Sequence, residues 1–469
     1  MAEVLVLGAG LGGLSTAMLL AREGHEVTVL ERDPAEPPRA VDAWQAWERR
    51  GVNQFRLPHF MLPRWAAQMR VELPEVLDEL EAIGGLRMNA LAALPEARRG
   101  PLRDEDRRFE TVTARRPVLE AAVAAVAGRT SGVTIRRGVA TTGLLAESFA
   151  PSEVPLVTGV LTEGGRTFRA DLVVDCCGRR SALPAWLEAA GARAPAEERE
   201  DCGFVYYGRH FRSRDGRMPQ ILMNPLQHYD SVSILTLPSD NGTWSVTFTT
   251  SSRDRPVRAL RDPERWEAAL ALYPLVAHWR DGEPISGVDV MAGIEDRHRS
   301  LVVDGQPVAT GVVAVGDSWA CTNPSVGRGA SIGLLHARCL RDVLREADPS
   351  DPEKLVRRFD ELTGEVVEPL YRATLWLDRH RLAEMGADAA GMPYETDDRR
   401  WAMSKAAFAA SLVDPELARA YTSLASLLVS ADELFADRAL AARVLQLGSG
   451  APPYPLPGPS RSELLSAID

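Results

Sequence analysis

The chain has 469 residues, a net charge of −11 and 45% apolar residues. That length predicts two or three domains with a substantial core, and the acidic balance argues against a nucleic-acid partner. No apolar run reaches the roughly 18 residues a membrane span needs, so no transmembrane segment is expected, and the cysteine pattern points to a cytoplasmic protein.

Val4–Leu7 is a short apolar run of the kind that fills a buried parallel strand. Gly8, Gly10 and Gly13 follow as G-x-G-x-x-G. The first glycine serves a tight turn, the second lets the backbone approach a pyrophosphate, and the third allows close helix–strand packing. A helix is predicted from Gly12 to Glu23, after Leu11, with its N-terminal N–H groups aimed at phosphates. A second strand spans His25–Leu30. Glu31 at its end is the acid expected to hydrogen-bond an adenosine ribose, with Arg32 beside it.

Residues 34–64 read as irregular, and Leu73–Ile83 and Arg116–Val126 as helices. Strands are predicted at Val133–Arg136 and Leu172–Val174, and a hairpin over Val157–Arg169 turning at Gly164-Gly165. Five cysteines, Cys176, Cys177, Cys202, Cys321 and Cys339, lack zinc spacing, so reduced thiols and no metal site are expected. Cys176 and Cys177 are neighbours that would point to opposite faces of a strand. From about 200 to 294 the texture is β-rich, with a helical insert at Arg265–Leu272.

Gly311–Val315 returns to the buried-strand pattern and delivers Gly316 and Asp317 at a strand end. Pro324, Gly327 and Gly329 shape the next loop, and a helix follows over Ala330–Arg345. Asp317 is placed to bond a ribitol, and the helix N-terminus to face the edge of a flavin ring. Together the two glycine motifs point to FAD. Past residue 350 the pattern is helical: Pro352–Leu362, Val366–Ala383, Arg399–Ser411, Pro415–Val429 and Asp432–Leu445, then an irregular tail from Gly448 to Pro459. The fold class is therefore α/β, with a discontinuous Rossmann-like FAD-binding domain (1–180 and 295–345), an inserted β-sheet substrate domain (181–294) and a C-terminal helical region (346–469).

With these motifs the chain resembles FAD-dependent monooxygenases of the para-hydroxybenzoate hydroxylase superfamily. Within that superfamily it is most similar to bacterial polyether-epoxidase-like tailoring enzymes, over roughly residues 3 to 345. Arg116, in RPVLE, matches an arginine that helps hold FAD there, and GVNQFRLPH (Gly51 to His59) is similar to a segment near the flavin. One departure is DCCGRRS, which has Cys177 before Gly178 where many hydroxylases carry Asp-Gly.

The resemblance implies O2 insertion, by epoxidation or hydroxylation, through a flavin C4a-hydroperoxide. NAD(P)H is the reductant, used directly in a shared cleft or through a partner flavin reductase, because no second G-x-G-x-x-G occurs. The substrate is a small apolar or aromatic molecule, and the protein a monomer or homodimer. Trp319, Asn323, His59 and Arg209 are the candidates for contact with substrate or flavin, with Cys321, Arg56, Tyr206 and Tyr207 as further ones. A reductase or dehydrogenase of an isoprenoid-like alkene is an alternative. A flavin-dependent halogenase is a poorer one: Trp44 and Trp47 lack a following Ile-Pro, and no lysine precedes Lys354.

Overall fold

The computed structural model describes residues 1–49, 51–52, 54–147, 154–346 and 351–469. Five parallel strands form the first sheet, in the order Val312–Ala314, Leu172–Asp175, Glu3–Leu7, Glu26–Glu31 and Val133–Arg137. Leu172–Asp175 and Val312–Ala314 are buried at every position, and Glu3–Leu7 at all but the first. Such strands must be covered on both faces, which is why they read as continuous apolar runs. Helices Leu11–Arg22, Arg116–Gly128 and Gly329–Glu346 pack around this sheet. Two segments about 140 residues apart in sequence, ending in Asp175 and Ala314, thus lie side by side in register. This juxtaposition brings the two glycine motifs together.

The predicted hairpin forms as Leu156–Thr162 and Thr167–Arg169 around Gly164-Gly165, with Thr141–Glu147 added as a third strand. Residues 34–64 are mostly irregular, but helix Pro63–Glu72 begins inside the stretch. Its proline, which suggested irregularity, occupies the first helical turn, where no N–H is needed.

A six-stranded antiparallel sheet includes Leu226–His228, Val232–Pro238, Thr243–Ser251 and Phe204–Arg212 in sequence-crossed order. One face buries Phe211, Phe248, Trp266, Tyr273 and Trp279 beneath helix Pro263–Ala271 and the final helix Arg461–Ile468. That final helix was not read from the sequence, although Ser460 and Glu463 form its capping box. The stretch expected as one helix over Asp432–Leu445 is two, Ala431–Phe435 and Arg438–Gly448; Asp437 caps the second by accepting from the Ala439 and Leu440 N–H groups.

The sheet is clamped to the parallel-sheet part by Arg115, whose guanidinium and main-chain N–H both donate to Asp240 (2.6–3.2 Å). Both side chains are almost fully buried. Among the described residues no helix is long and apolar enough to cross a membrane.

Candidate functional site

The first sheet, the open face of the antiparallel sheet and the C-terminal helices enclose a cleft of about 790 Å3. This is within the range that takes whole cofactors and drug-sized ligands. Gly8, Gly10, Leu11, Gly12, Glu31 and Arg32 line it from one motif, Gly316, Asp317, Pro324, Gly327, Gly329 and Ala330 from the other, and Arg116 from the start of helix Arg116–Gly128.

The glycines divide into two kinds. A Cβ at Gly13 would lie 1.9 Å from the Gly8 carbonyl oxygen, and one at Gly8 would lie 2.8 Å from that of Cys176. Gly8 also has φ +99°. These two are demanded by the protein's own packing, and Gly13 does not reach the cleft. Gly12 and Gly329 are different: nothing lies within 4 Å of the place a side chain would take. Their bare backbone faces open cleft, and helix Leu11–Arg22 has no side-chain cap and no acid in its first turn. Its N–H groups are left for a ligand, and the positive end of the helix suits an anionic one.

Glu31 is already engaged. Its carboxylate accepts from the Ala9 N–H (2.9 Å), the Asp33 N–H (2.9 Å) and Arg49 (2.5 Å). Arg49 also meets Glu120 (2.6 Å), which meets Arg116 (2.6 Å), which donates to His59 Nε2 (3.1 Å). Burial works to raise the Glu120 carboxyl, but Arg116 and Arg49 hold it below the usual range. An ion-pair chain thus links the strand-end acid to His59 through Arg49 and Glu120, two residues that carry no motif of their own.

His59 has a fixed tautomer. The Leu57 carbonyl, 2.9 Å from Nδ1, can only accept, so Nδ1 carries the hydrogen; Arg116 can only donate, so Nε2 is bare. Burial, with the Arg116 charge beside the ring, pushes its pKa down to about 3. Arg56, from the same segment, turns away to donate to the Trp47 carbonyl and stack on Trp44. Asn53, in that segment, lies outside the described residues.

At the second motif the Asp317 carboxylate lines the cleft and meets no hydrogen-bond donor among the described residues. Burial raises its pKa, and Arg179, Arg116 and Arg297 pull it back. His336, which sequence reasoning missed, accepts from the Gly316 N–H at Nδ1 (3.2 Å) and donates from Nε2 to Thr363 (3.1 Å). It therefore fixes the turn that carries Asp317. Trp319 lines the cleft with its ring packed edge-on against His336 and His298.

Asn323 also lines the cleft, but its polar atoms serve the loop: its amide donates to Ser325 (2.7 Å) and Asp378 (2.9 Å). Asp378, on helix Glu368–Ala389, keeps its second oxygen buried without a partner, and burial lifts its pKa to about 8.

Strand alternation sorts the remaining candidates. Tyr206 faces the cleft, with its buried hydroxyl unpartnered. Tyr207 and Arg209 share the opposite face of strand Phe204–Arg212. Tyr207 is sealed in the core, and Arg209 pairs with Glu267 (2.6 Å) outside the cleft. The expectation that Arg209 approaches substrate or flavin therefore does not match its position. Cys321 is buried against the Glu295 carbonyl and lies off the cleft as well. Cys176 and Cys177 lie past the end of Leu172–Asp175, so strand alternation does not separate them and both line the cleft. Burial raises both thiols far from thiolate chemistry.

Residues 6–35 match the model of an NAD(P)-binding Rossmann-like domain. Over 397 residues the chain is 28% identical to protein Rv3254 of Mycobacterium tuberculosis, covering 79% of this chain and 78% of that one. PqsL, described as a probable FAD-dependent monooxygenase from Pseudomonas aeruginosa, superposes with a TM-score of 0.58 at 17% identity, over 82% of this chain and 99% of that one. CmlS, a flavin-dependent halogenase, superposes with the same TM-score at 15% identity, over 91% of this chain and 76% of that one. The fold is thus the Rossmann-like α/β fold of flavin monooxygenases, with an added sheet and C-terminal helices.

Proposed function

We propose that the protein is an FAD-dependent monooxygenase that places one atom of O2 into an apolar or aromatic small molecule, as an epoxidase or hydroxylase of bacterial secondary metabolism. The observation that carries this reading is one cleft with two complementary polar features. Bare backbone at Gly10 and Gly12, with uncapped N–H groups, suits a pyrophosphate. The free Asp317 carboxylate suits a ribitol hydroxyl, and the open backbone at Gly329 leaves room for a flat ring.

FAD, once reduced, supplies the electrons that activate O2. The protein's own residues do the rest. Glu31 would hold the adenosine ribose while Arg49 holds Glu31. Arg116 brings a positive charge to the cleft, and neutral His59 keeps its bare nitrogen on that arginine. Trp319, Tyr371 and Phe408 give the cleft apolar walls that would keep water from the reacting end. NAD(P)H would be the reductant, reaching the same cleft or acting through a partner reductase.

A halogenase is the second reading. One observation favours it: Lys405, one of the two lysines, lines the same cleft. The decisive experiment is anaerobic reduction of the flavin with NADH and NADPH, then a pulse of 18O2 with bromide present and a panel of alkenes and phenols. A product heavier by one 18O supports monooxygenation. A brominated product overturns it, and product formed without O2 points to a reductase.

A further inference from the structure

Where the open face of the antiparallel sheet meets helices Glu368–Ala389 and Arg399–Ser411, the cleft wall carries Leu235, Trp401 and Phe408, and among them His228 and Lys405. We propose that His228 and Lys405 form a subsite for an acidic oxygen of the substrate, a carboxylate or an ionised phenol or enol on an otherwise apolar body. This rests on the reading of the cleft as a substrate-binding one.

The two residues are the ends of one hydrogen-bonded chain. His228 Nδ1 lies 2.8 Å from Ser233 Oγ, which accepts from Arg381 Nε at 3.1 Å. Arg381 meets one oxygen of Glu384 (3.1 Å) and Lys405 meets the other (2.9 Å). The remaining Arg381 donors go to the main-chain oxygens of Tyr229, Asp230 and Val232, so that guanidinium is committed to the fold. A single carboxylate, Glu384, is therefore shared by two cations. Asp388, another carboxyl beside this group, accepts from the Tyr454 hydroxyl and does not line the cleft. Glu384 and Lys405 both line the cleft, but the two oxygens of Glu384 are held by Arg381 and Lys405, which leaves the Lys405 ammonium as the member with donors to spare. One of its three N–H bonds serves Glu384, and the ammonium lies over the Tyr454 ring (4.7 Å to its centroid).

His228 supplies a second donor. The Ser233 hydroxyl is buried, and among the described residues His228 Nδ1 is the acceptor for its hydrogen. The ring hydrogen then lies on Nε2, which faces no protein partner among the described residues. Burial, with Arg381 and Lys405 nearby, keeps the ring neutral. A neutral N–H and an ammonium on one wall of the cleft, among aromatic and aliphatic side chains, favour an oxygen rich in lone pairs.

The test uses anthraquinone-2-carboxylate and its methyl ester as probes, titrated calorimetrically into the FAD-loaded protein. The wild type should bind the acid about tenfold more tightly than the ester. Lys405→Met should bring the two within about twofold of each other, and Lys405→Arg should keep the preference. Equal binding of acid and ester by the wild type, failure of the acid to bind, or a preference that survives in Lys405→Met would overturn the proposal. The wild-type ratio decides even where Lys405→Met does not fold. Protein isolated without flavin, and unable to take it up, is a separate outcome: it defeats the monooxygenase reading, and the acid-to-ester ratio of that protein still judges the subsite.

Discussion

At the end of the cleft that holds the glycine motifs, the surface is backbone: Gly10, Gly12, Gly327 and Gly329 present main chain where a side chain would intrude. At the end beneath the C-terminal helices, the surface is side chains, and those of His228, Glu384 and Lys405 come from three separate elements. A backbone surface needs particular residues at fixed short spacings, because the turn and the helix start that create it are local. A side-chain surface needs only that the fold deliver its members, which come from anywhere in the chain. The first kind suits an invariant group such as a dinucleotide, and the second suits a substrate that differs from one enzyme to the next.

The sharpest break in this comparison lies within the first motif. Gly13→Ala forces a Cβ onto the Gly8 carbonyl and should cost about 3 kcal/mol or more, seen as insoluble protein or a collapsed denaturation midpoint. Next is the clamp between the two parts: Asp240→Ala leaves Arg115 buried without its carboxylate and should lose about 3–5 kcal/mol in urea unfolding. Gly12→Ala meets no protein atom and should leave stability within about 0.5 kcal/mol of wild type, while weakening FAD about tenfold or more. Equal loss of stability in Gly12→Ala and Gly13→Ala would erase the distinction between the two kinds of glycine.

The smallest effect concerns His59. Its folded pKa of about 3 lies below the ordinary value of 6.5, so the unfolded chain binds the extra proton between those values. Stability from this group is present above about pH 6.5 and is lost as pH falls toward 3, at about 1.4 kcal/mol per pH unit at most. His210 and His336 add slopes of the same sign. His59→Gln should make the fall in unfolding free energy between pH 6.5 and pH 5 shallower by up to one proton.

The α/β class, the parallel strands and the two glycine loops were legible in the sequence because each is signalled by an apolar run or a turn residue of local origin. Gly8 to Glu31 and Gly316 to Ala330 belong to this group. Arg49, Glu120 and His336 were not legible. Each acts by pairing with a partner far along the chain, and nothing in its neighbourhood announces the pair. Arg209 shows the converse difficulty: its strand was legible, but the face each residue takes depends on what packs there, and helix Pro263–Ala271 claims Arg209 through Glu267. The capping box at Ser460 is a local signal, masked by the glycine- and proline-rich tail that precedes it.

The central claim is that both glycine motifs grip one FAD. Its most direct test is the visible spectrum of the purified protein, before and after incubation with FAD and desalting. A flavin spectrum with about one FAD per chain, reduced several-fold in Gly12→Ala and in Asp317→Ala, is the predicted result. Protein that stays colourless after FAD is supplied, or that keeps full flavin in both variants, would contradict it.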